Sequence, residues 1–166
     1  MNMNKPAFTA AWAASQKIYD PANPGERVAQ VVGGDVAANI RDKTNPWKNT
    51  CAVRISFILN QSGLHIPAIP GKTKKGADHR NYFYRVKDVI AFLKTHWGQP
   101  ESVAWPLAGS NALAGRKGII LFEVHGWLDA SGHATLFNGV SCYDHCYFNE
   151  PGAKYRTSRA NFWVLK

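Results

Sequence analysis

The stretch from Asn49 to Gln61 is apolar on nearly every side, with Ala52, Val53, Ile55, Phe57, Ile58 and Leu59 leaving no polar face for solvent. A helix of that kind has to be buried, so the rest of the chain must be arranged around it. Asn49 or Thr50 is placed to cap its start, and Gly63 suits its end. With 166 residues there is enough chain for one such core and hardly for two, so one domain over 1–166 is expected. A hydrophobic content of 45% with 12% aromatics excludes a disordered chain. No run reaches the roughly 18 apolar residues of a membrane span, and no membrane insertion is expected.

Other segments read by period. Lys5 before an Ala- and Phe-rich stretch has the look of a signal peptide, but Thr9 and Trp12 interrupt it. Pro6, Phe8, Trp12 and Tyr19 predict instead an amphipathic helix that belongs to the fold. Residues 26–32 predict a short helix stopped by Gly33-Gly34, and Val86 to Trp97 a longer one stopped by Gly98 and Pro100. Residues 63–81 read as a loop. In the second half the period changes, and Ile119–Val124, Gly132–Asn138, Val140–Asp144 and Asn161–Leu165 predict strands. Helices first and strands later give an α+β class with an antiparallel sheet. Trp12, Trp97, Phe162 and Trp163 are expected to be packing residues.

Asn138-Gly139 is the strongest hairpin signal, because a two-residue turn needs positive φ at both central positions. If that pair is the loop, Phe137 pairs with Val140 and, counting outward, His133 faces Asp144. Directly opposed residues have Cβ atoms roughly 4.5–5.5 Å apart, so register alone would set an imidazole beside a carboxylate. Such a carboxylate holds the tautomer and leaves the other ring nitrogen free to take a proton. A purely structural His–Asp pair satisfies the same pattern. His125, on the preceding strand, is a rival base without a carboxylate partner.

Cys51 stands at the first turn of the buried helix. That place suits a core-filling thiol, and equally a thiolate stabilised by the helix dipole and free N–H groups. The same N–H groups are candidates to bind an oxyanion, that of Cys51 first. Helix-borne Cys, then strand-borne His, then Asp is the chain order of papain-type hydrolases.

Cys142 and Cys146 leave three readings open. Four residues apart on a straight strand their Cα atoms would be roughly 13 Å apart, too far to bridge. A turn after Asp144 would bring them into range. Otherwise they are free thiols, or with His133 and His145 they are zinc ligands, although C-x3-C alone is a weak metal signal. Gly71-Lys72-Thr73 is not a phosphate loop, since Ile66 stands where that motif needs Gly. The formal charge of +9 allows nucleic acid, an anionic surface or an acidic substrate as partner. Its basic residues are dispersed, and the cluster Lys72, Lys74 and Lys75 reads as a solvated loop. Without an aromatic-studded RNA strand or a helix-turn-helix, a nucleic-acid partner is not expected.

Asn49-Thr50-Cys51-Ala52-Val53-Arg54-Ile55-Ser56, Gly76-Ala77-Asp78 through Tyr82-Phe83-Tyr84-Arg85-Val86, and Gly132-His133-Ala134-Thr135-Leu136-Phe137-Asn138-Gly139 resemble the fourth family of type VI secretion amidase effectors. His125-Gly126-Trp127 and Cys142-Tyr143-Asp144-His145-Cys146 are similar to that family as well. The resemblance implies a papain-like, NlpC-type cysteine peptidase that hydrolyses the γ-D-glutamyl–meso-diaminopimelate bond of the peptidoglycan stem peptide. It implies Cys51, His133 and Asp144 as catalytic residues, a Cys142–Cys146 disulfide, no metal and no cofactor. Asp78, Tyr82, Arg85 and Trp127 are then candidates to line the substrate groove. The expected partners are the stem peptide, a type VI carrier and a cognate periplasmic immunity protein. The expected itinerary is synthesis in the producer cytoplasm without a signal peptide and action in a recipient's oxidising periplasm, where a disulfide is stable. The loops at 63–75 and 106–117 and the stretch 147–160 match no pattern of the family. The alternative reading is a zinc-dependent hydrolase, and behind it a basic nucleic-acid-binding module.

Overall fold

A computed structural model of the chain describes residues 3–109, 112–126 and 132–166. In chain order α1 (Phe8–Ile18), α2 (Pro24–Val32), α3 (Gly34–Ile40) and α4 (Cys51–Gln61) come first. A small hairpin of β1 (Thr73–Lys75) and β2 (Asn81–Phe83) leads into α5 (Val86–Trp97). Then follow β3 (Glu101–Ala104), β4 (Gly118–His125), β5 (Gly132–Phe137) and β6 (Arg156–Val164). The last four form an antiparallel sheet in the order β3-β6-β4-β5, with β5 at one edge.

The apolar run becomes α4 as expected, with ten of its eleven residues buried, Cys51 through Asn60. Each large side chain it removes from water contributes about 1.5–3 kcal/mol, far more than helix propensity supplies. The buried polar side chains Arg54, Ser56 and Asn60 on this helix all have partners. Ser56 Oγ donates to the Ala52 carbonyl and accepts the Phe83 N–H, at 2.8 and 2.9 Å. Asn60 donates to the Asn81 carbonyl and accepts the Ile66 N–H. Because these partners lie across the loop, α4 fixes the loop and β2 against itself.

Period two on the sheet separates two cores. Ile119, Leu121, Ala134, Leu136 and Trp163 pack with the helices, while Ile120, Phe122, Val124, Ala160 and Phe162 face a second cluster closed by Leu113 and Phe148. On β5, His133 opposes Phe122 and Thr135 opposes Ile120, so both belong to the second face.

Several expectations change. The segment 63–81 is not all loop: Thr73–Lys75 pairs with Asn81–Phe83, and the exposed Lys74 and Lys75 lie on β1. Gly33-Gly34 does stop α2, with Gly33 at φ 67°, but α3 starts at once on Gly34. The glycines are also needed for close approach, since a Cβ on Gly34 would stand 2.6 Å from the Gly76 carbonyl carbon. Strand β6 begins five residues earlier than the apolar pattern, because the polar run from Arg156 continues the pairing with β4 past a bulge at Glu123/Val124. Val140–Asp144 is not a strand; it makes a single bridge, Phe137 with Cys142. The N-terminal helix starts at Phe8, whose N–H donates to the Lys166 carbonyl. None of the helices among the described residues is long and apolar enough to cross a membrane.

Candidate active site

Cys51 is the first residue of α4 and is 1% exposed. Its sulfur lies beside the His133 side chain and the Ala134 N–H, both of which favour the thiolate. The Asn49 side chain, two residues upstream, accepts the Cys51 N–H at 3.0 Å. Thr50 holds the N-cap position without a side-chain cap bond, Asn49 supplies the acceptor instead, and the N–H expected for an oxyanion is occupied in the free protein.

His133 Nε2 lies 3.0 Å from Asp144 Oδ2. The contact is an ion pair and not an aligned hydrogen bond, since the ring N–H does not point along the line to the oxygen. The route by which Asp144 arrives differs from the two-residue turn. Asn138 Oδ1 accepts the N–H groups of both Val140 and Ser141, and the Asn138 N–H donates to the Ser141 carbonyl. These bonds hold Val140 in the loop, where it is 88% exposed, and the first pair is Phe137 with Cys142. The register is thus shifted by two residues, which preserves the face. Asp144 stands opposite Thr135, whose Oγ1 donates to Asp144 Oδ1 at 2.5 Å, and it reaches His133 diagonally.

The turn after Asp144 closes the Cys142–Cys146 disulfide, with Cα atoms 5.3 Å apart. Both sulfurs are joined, which removes them as zinc ligands and overturns the zinc site drawn from His133, His145 and these cysteines. Opening the bridge in a Cys142→Ala/Cys146→Ala variant is expected to cost on the order of 2 kcal/mol and to reduce turnover several-fold by releasing Asp144. Thermal melting and rate assays check the two halves separately; an unchanged rate would leave the bridge as a brace only.

The electrostatics follow from these contacts. Burial works against the His133 imidazolium, but Asp144 and the Cys51 sulfur outweigh it and hold its pKa up to about 9. Burial also opposes the Cys51 thiolate, yet His133, the Ala134 N–H and Arg54 bring the thiol below its ordinary value. Asp144, buried too, is held down to about 2 by His133, Arg54 and Thr135. Stability from His133 is therefore complete below its ordinary 6.5 and lost as pH rises through about 9. That from Asp144 is complete above 3.8 and lost as pH falls through about 2. The melting temperature is expected to decline on the alkaline side over that window, and to do so less in His133→Ala.

A cleft of about 280 Å³ opens beside these groups, walled by Lys48, Asn49, Thr50, Arg54, His133 and Tyr147. The Tyr147 ring meets His133 edge-to-face at 4.9 Å. Asp78, Tyr82 and Arg85 are not among the described walls of this cleft. Tyr82 is fully buried, and its hydroxyl donates to Asp78 Oδ2 at 2.7 Å. Arg85 is held by Asp88 and by the Gly71 carbonyl. All three make structural contacts around the small hairpin. Trp127 lies outside the described residues. His125 is exposed and its Nε2 is 3.2 Å from Ser158 Oγ, so it does not reach this centre. Sequence reading passed over Arg54 and Thr135, and gave Asn49 only as a candidate cap. A signal existed for the first two: a lone Arg one turn beyond Cys51 in an apolar helix, and a Thr two residues beyond His133 on the same strand face.

A thiol at the head of a buried helix, set beside an imidazole carried by the edge of an antiparallel sheet, is the construction of the papain-like, NlpC-type cysteine hydrolases. The sequence profile of type VI secretion system amidase effector protein 4 matches residues 47–163. The chain belongs to that family and is a cysteine-type amidase effector. It is similar to the effector Tae4 of Enterobacter cloacae in its crystal structure with the immunity protein Tai4, at 41% identity and a TM-score of 0.87 over 98% of this chain and 100% of that one. The uncomplexed Enterobacter cloacae effector is 40% identical, with a TM-score of 0.85 and 100% of both chains covered. The effector in the Salmonella Typhimurium Tae4–Tai4 complex is 34% identical, with a TM-score of 0.82 over 98% of this chain and 100% of that one. No curated protein matches.

Proposed function

We propose that this chain is a DL-endopeptidase toxin that hydrolyses the γ-D-glutamyl–meso-diaminopimelate amide of peptidoglycan stem peptides. Cys51 is the nucleophile, His133 the base and then acid, and Asp144 the residue that orients His133. The observation carrying this reading is the placing of His133 next to the buried Cys51 thiol, with its Nε2 3.0 Å from Asp144 Oδ2.

In the reaction the Cys51 thiolate attacks the γ-carbonyl carbon. The imidazolium of His133 gives its proton to the leaving diaminopimelate nitrogen as the C–N bond breaks, and a thioester remains. Water, deprotonated by His133, then releases the glutamyl product and restores the thiol. For the Cys51 N–H to receive the oxyanion, the Asn49 amide oxygen has to move away from it. The family's setting supports action in the periplasm of a recipient cell after type VI delivery. The relatives' complexes with Tai4 support a cognate immunity protein as partner. The net charge of +9 favours encounter with the carboxylate-rich wall.

Mass spectrometry of muropeptides digested by wild type and by Cys51→Ala tests the reading. New amino-terminal diaminopimelate fragments are expected with the wild type, and at least about 10³-fold less of them with a folded Cys51→Ala protein. Cleavage at another bond, or persisting cleavage by the variant, overturns it. Turnover is expected to hold through neutral pH and to fall as pH rises through about 9, where the His133 imidazolium loses its proton.

A further inference from the structure

Arg54 is a charged side chain, 8% exposed, on the most buried helix of the fold. It sits one turn beyond Cys51, and its donors are taken on three sides. Nη2 lies 3.0 Å from Asp144 Oδ2, Nη1 donates to Thr50 Oγ1 at 2.9 Å, and Nε donates to the Tyr143 hydroxyl at 3.2 Å. The guanidinium lies 5.3 Å from the Tyr19 ring centroid. The oxygen it holds is the same one that contacts His133 Nε2 at 3.0 Å. One carboxylate oxygen thus stands between two cations, with the three side chains at most 8% exposed.

A buried carboxylate with histidine as its sole partner would bind a proton onto the imidazole and repel a neighbouring thiolate. With a permanent cation on the same oxygen, the carboxylate acts on the imidazole as an oriented, nearly neutral acceptor. We propose that Arg54 is the counter-ion that neutralises Asp144 and so sets the pH range over which Cys51 and His133 exist as thiolate and imidazolium. It is a positioning residue: it acts through Asp144 and the local field and does not touch the substrate. The inference rests on the catalytic reading of Cys51, His133 and Asp144 given above.

The groups that face the pair can be named. They are Cys51 and Arg54 from α4, His133 from β5, Tyr143, Asp144 and Tyr147 from the segment after β5, Tyr19 just past the end of α1, and Lys48 on the cleft wall. Tyr143 and Tyr147 are held in their neutral form, by burial first and by Asp144 second. Lys48 is exposed and screened by solvent. Arg54 and Asp144 are therefore the opposed permanent charges next to the pair, and the sign of each removal is determined. Loss of the Arg54 cation destabilises the thiolate and favours the imidazolium, moving both midpoints to higher pH. Loss of the Asp144 charge moves both to lower pH. Loss of both returns them towards the wild type.

The test is the ultraviolet absorbance of the Cys51 thiolate against pH, with Cys51→Ser as baseline, in Arg54→Met, Asp144→Asn, the double variant and Arg54→Lys. Cys51 is the free cysteine among the described residues, so the signal has one source. Arg54→Met is expected to raise the midpoint by on the order of one pH unit, with the acid limb of turnover following it. Asp144→Asn is expected to lower the midpoint, the double variant to restore it, and Arg54→Lys to leave it near the wild type. If Arg54→Met does not fold, Asp144→Asn and the double variant decide by the same signs. Midpoints that stay in place while turnover falls would mean a scaffold role only and overturn the proposal. A wild-type Cys51 that titrates as an ordinary thiol would instead remove the catalytic reading, so the two failures are told apart.

Discussion

Asp144→Ala is expected to remove nearly all hydrolysis and, at the same time, about 3–5 kcal/mol of stability. Four contacts meet on this carboxylate. It contacts His133 Nε2 and Arg54 Nη2 through Oδ2, and accepts from Thr135 Oγ1 and the His145 N–H through Oδ1. Truncation leaves the Arg54 guanidinium buried and without its anion, and breaking a buried pair from one side costs about 3–5 kcal/mol. For a chain of 166 residues that corresponds to a melting temperature lower by roughly 10 °C. The imidazole also loses the group that orients it, worth about 10³–10⁴ in turnover where a triad carboxylate has been neutralised. Calorimetry and muropeptide kinetics on the same preparation check both parts. Turnover within tenfold of the wild type in a folded variant would take Asp144 out of the mechanism.

Gly118→Ala is expected to be the most damaging small change far from the chemistry. Gly118 opens β4 and pairs with Phe137 on one side and Val164 on the other. A Cβ there would collide with the Trp163 carbonyl oxygen and come within 2.9 Å of the Phe162 ring. The ring has room to turn, but the carbonyl belongs to the central strand pair and moves only if β4 and β6 part. Overpacking against backbone costs about 3 kcal/mol or more. A melting temperature about 10 °C lower, with the digestion pattern of surviving protein unchanged, is the expected result. A melting temperature within about 2 °C of the wild type would show that the strand start yields without cost. Gly63→Ala is a useful contrast, since a Cβ there meets nothing within 4 Å and only the φ of 100° opposes it.

Local chemistry explains which parts were legible. The run from Cys51 to Asn60 had no polar face, so its burial and the place of Cys51 at its head followed from composition and capping. The β4 and β5 segments carried their period openly. By contrast β1, β2 and β3 are three or four residues long, and β1 and β3 present exposed, mostly charged or polar side chains, so nothing in their own sequence distinguishes them from loop. They are strands because β2 and β6 offer them backbone partners. Tyr82 and Asp78 were groove candidates through the family resemblance alone, and in the structure the Tyr82 hydroxyl donates to Asp78 Oδ2.

The His133–Asp144 pair shows where local and tertiary information divide. By itself the sequence determined that a turn at Asn138-Gly139 folds the chain back, so that an even register keeps both side chains on one face. It also determined that a thiol stands at the head of a helix that must be buried. Only the tertiary structure decided the rest. The Asn138 side chain took two backbone N–H groups and widened the turn, which put Asp144 opposite Thr135 and diagonal to His133. Arg54, 90 residues earlier in the chain, then arrived on the same carboxylate oxygen. A charge on a distant helix leaves no trace in the period of a strand, because the energy that holds it is a long-range pairing in a place without water, and that place exists only once the core has closed.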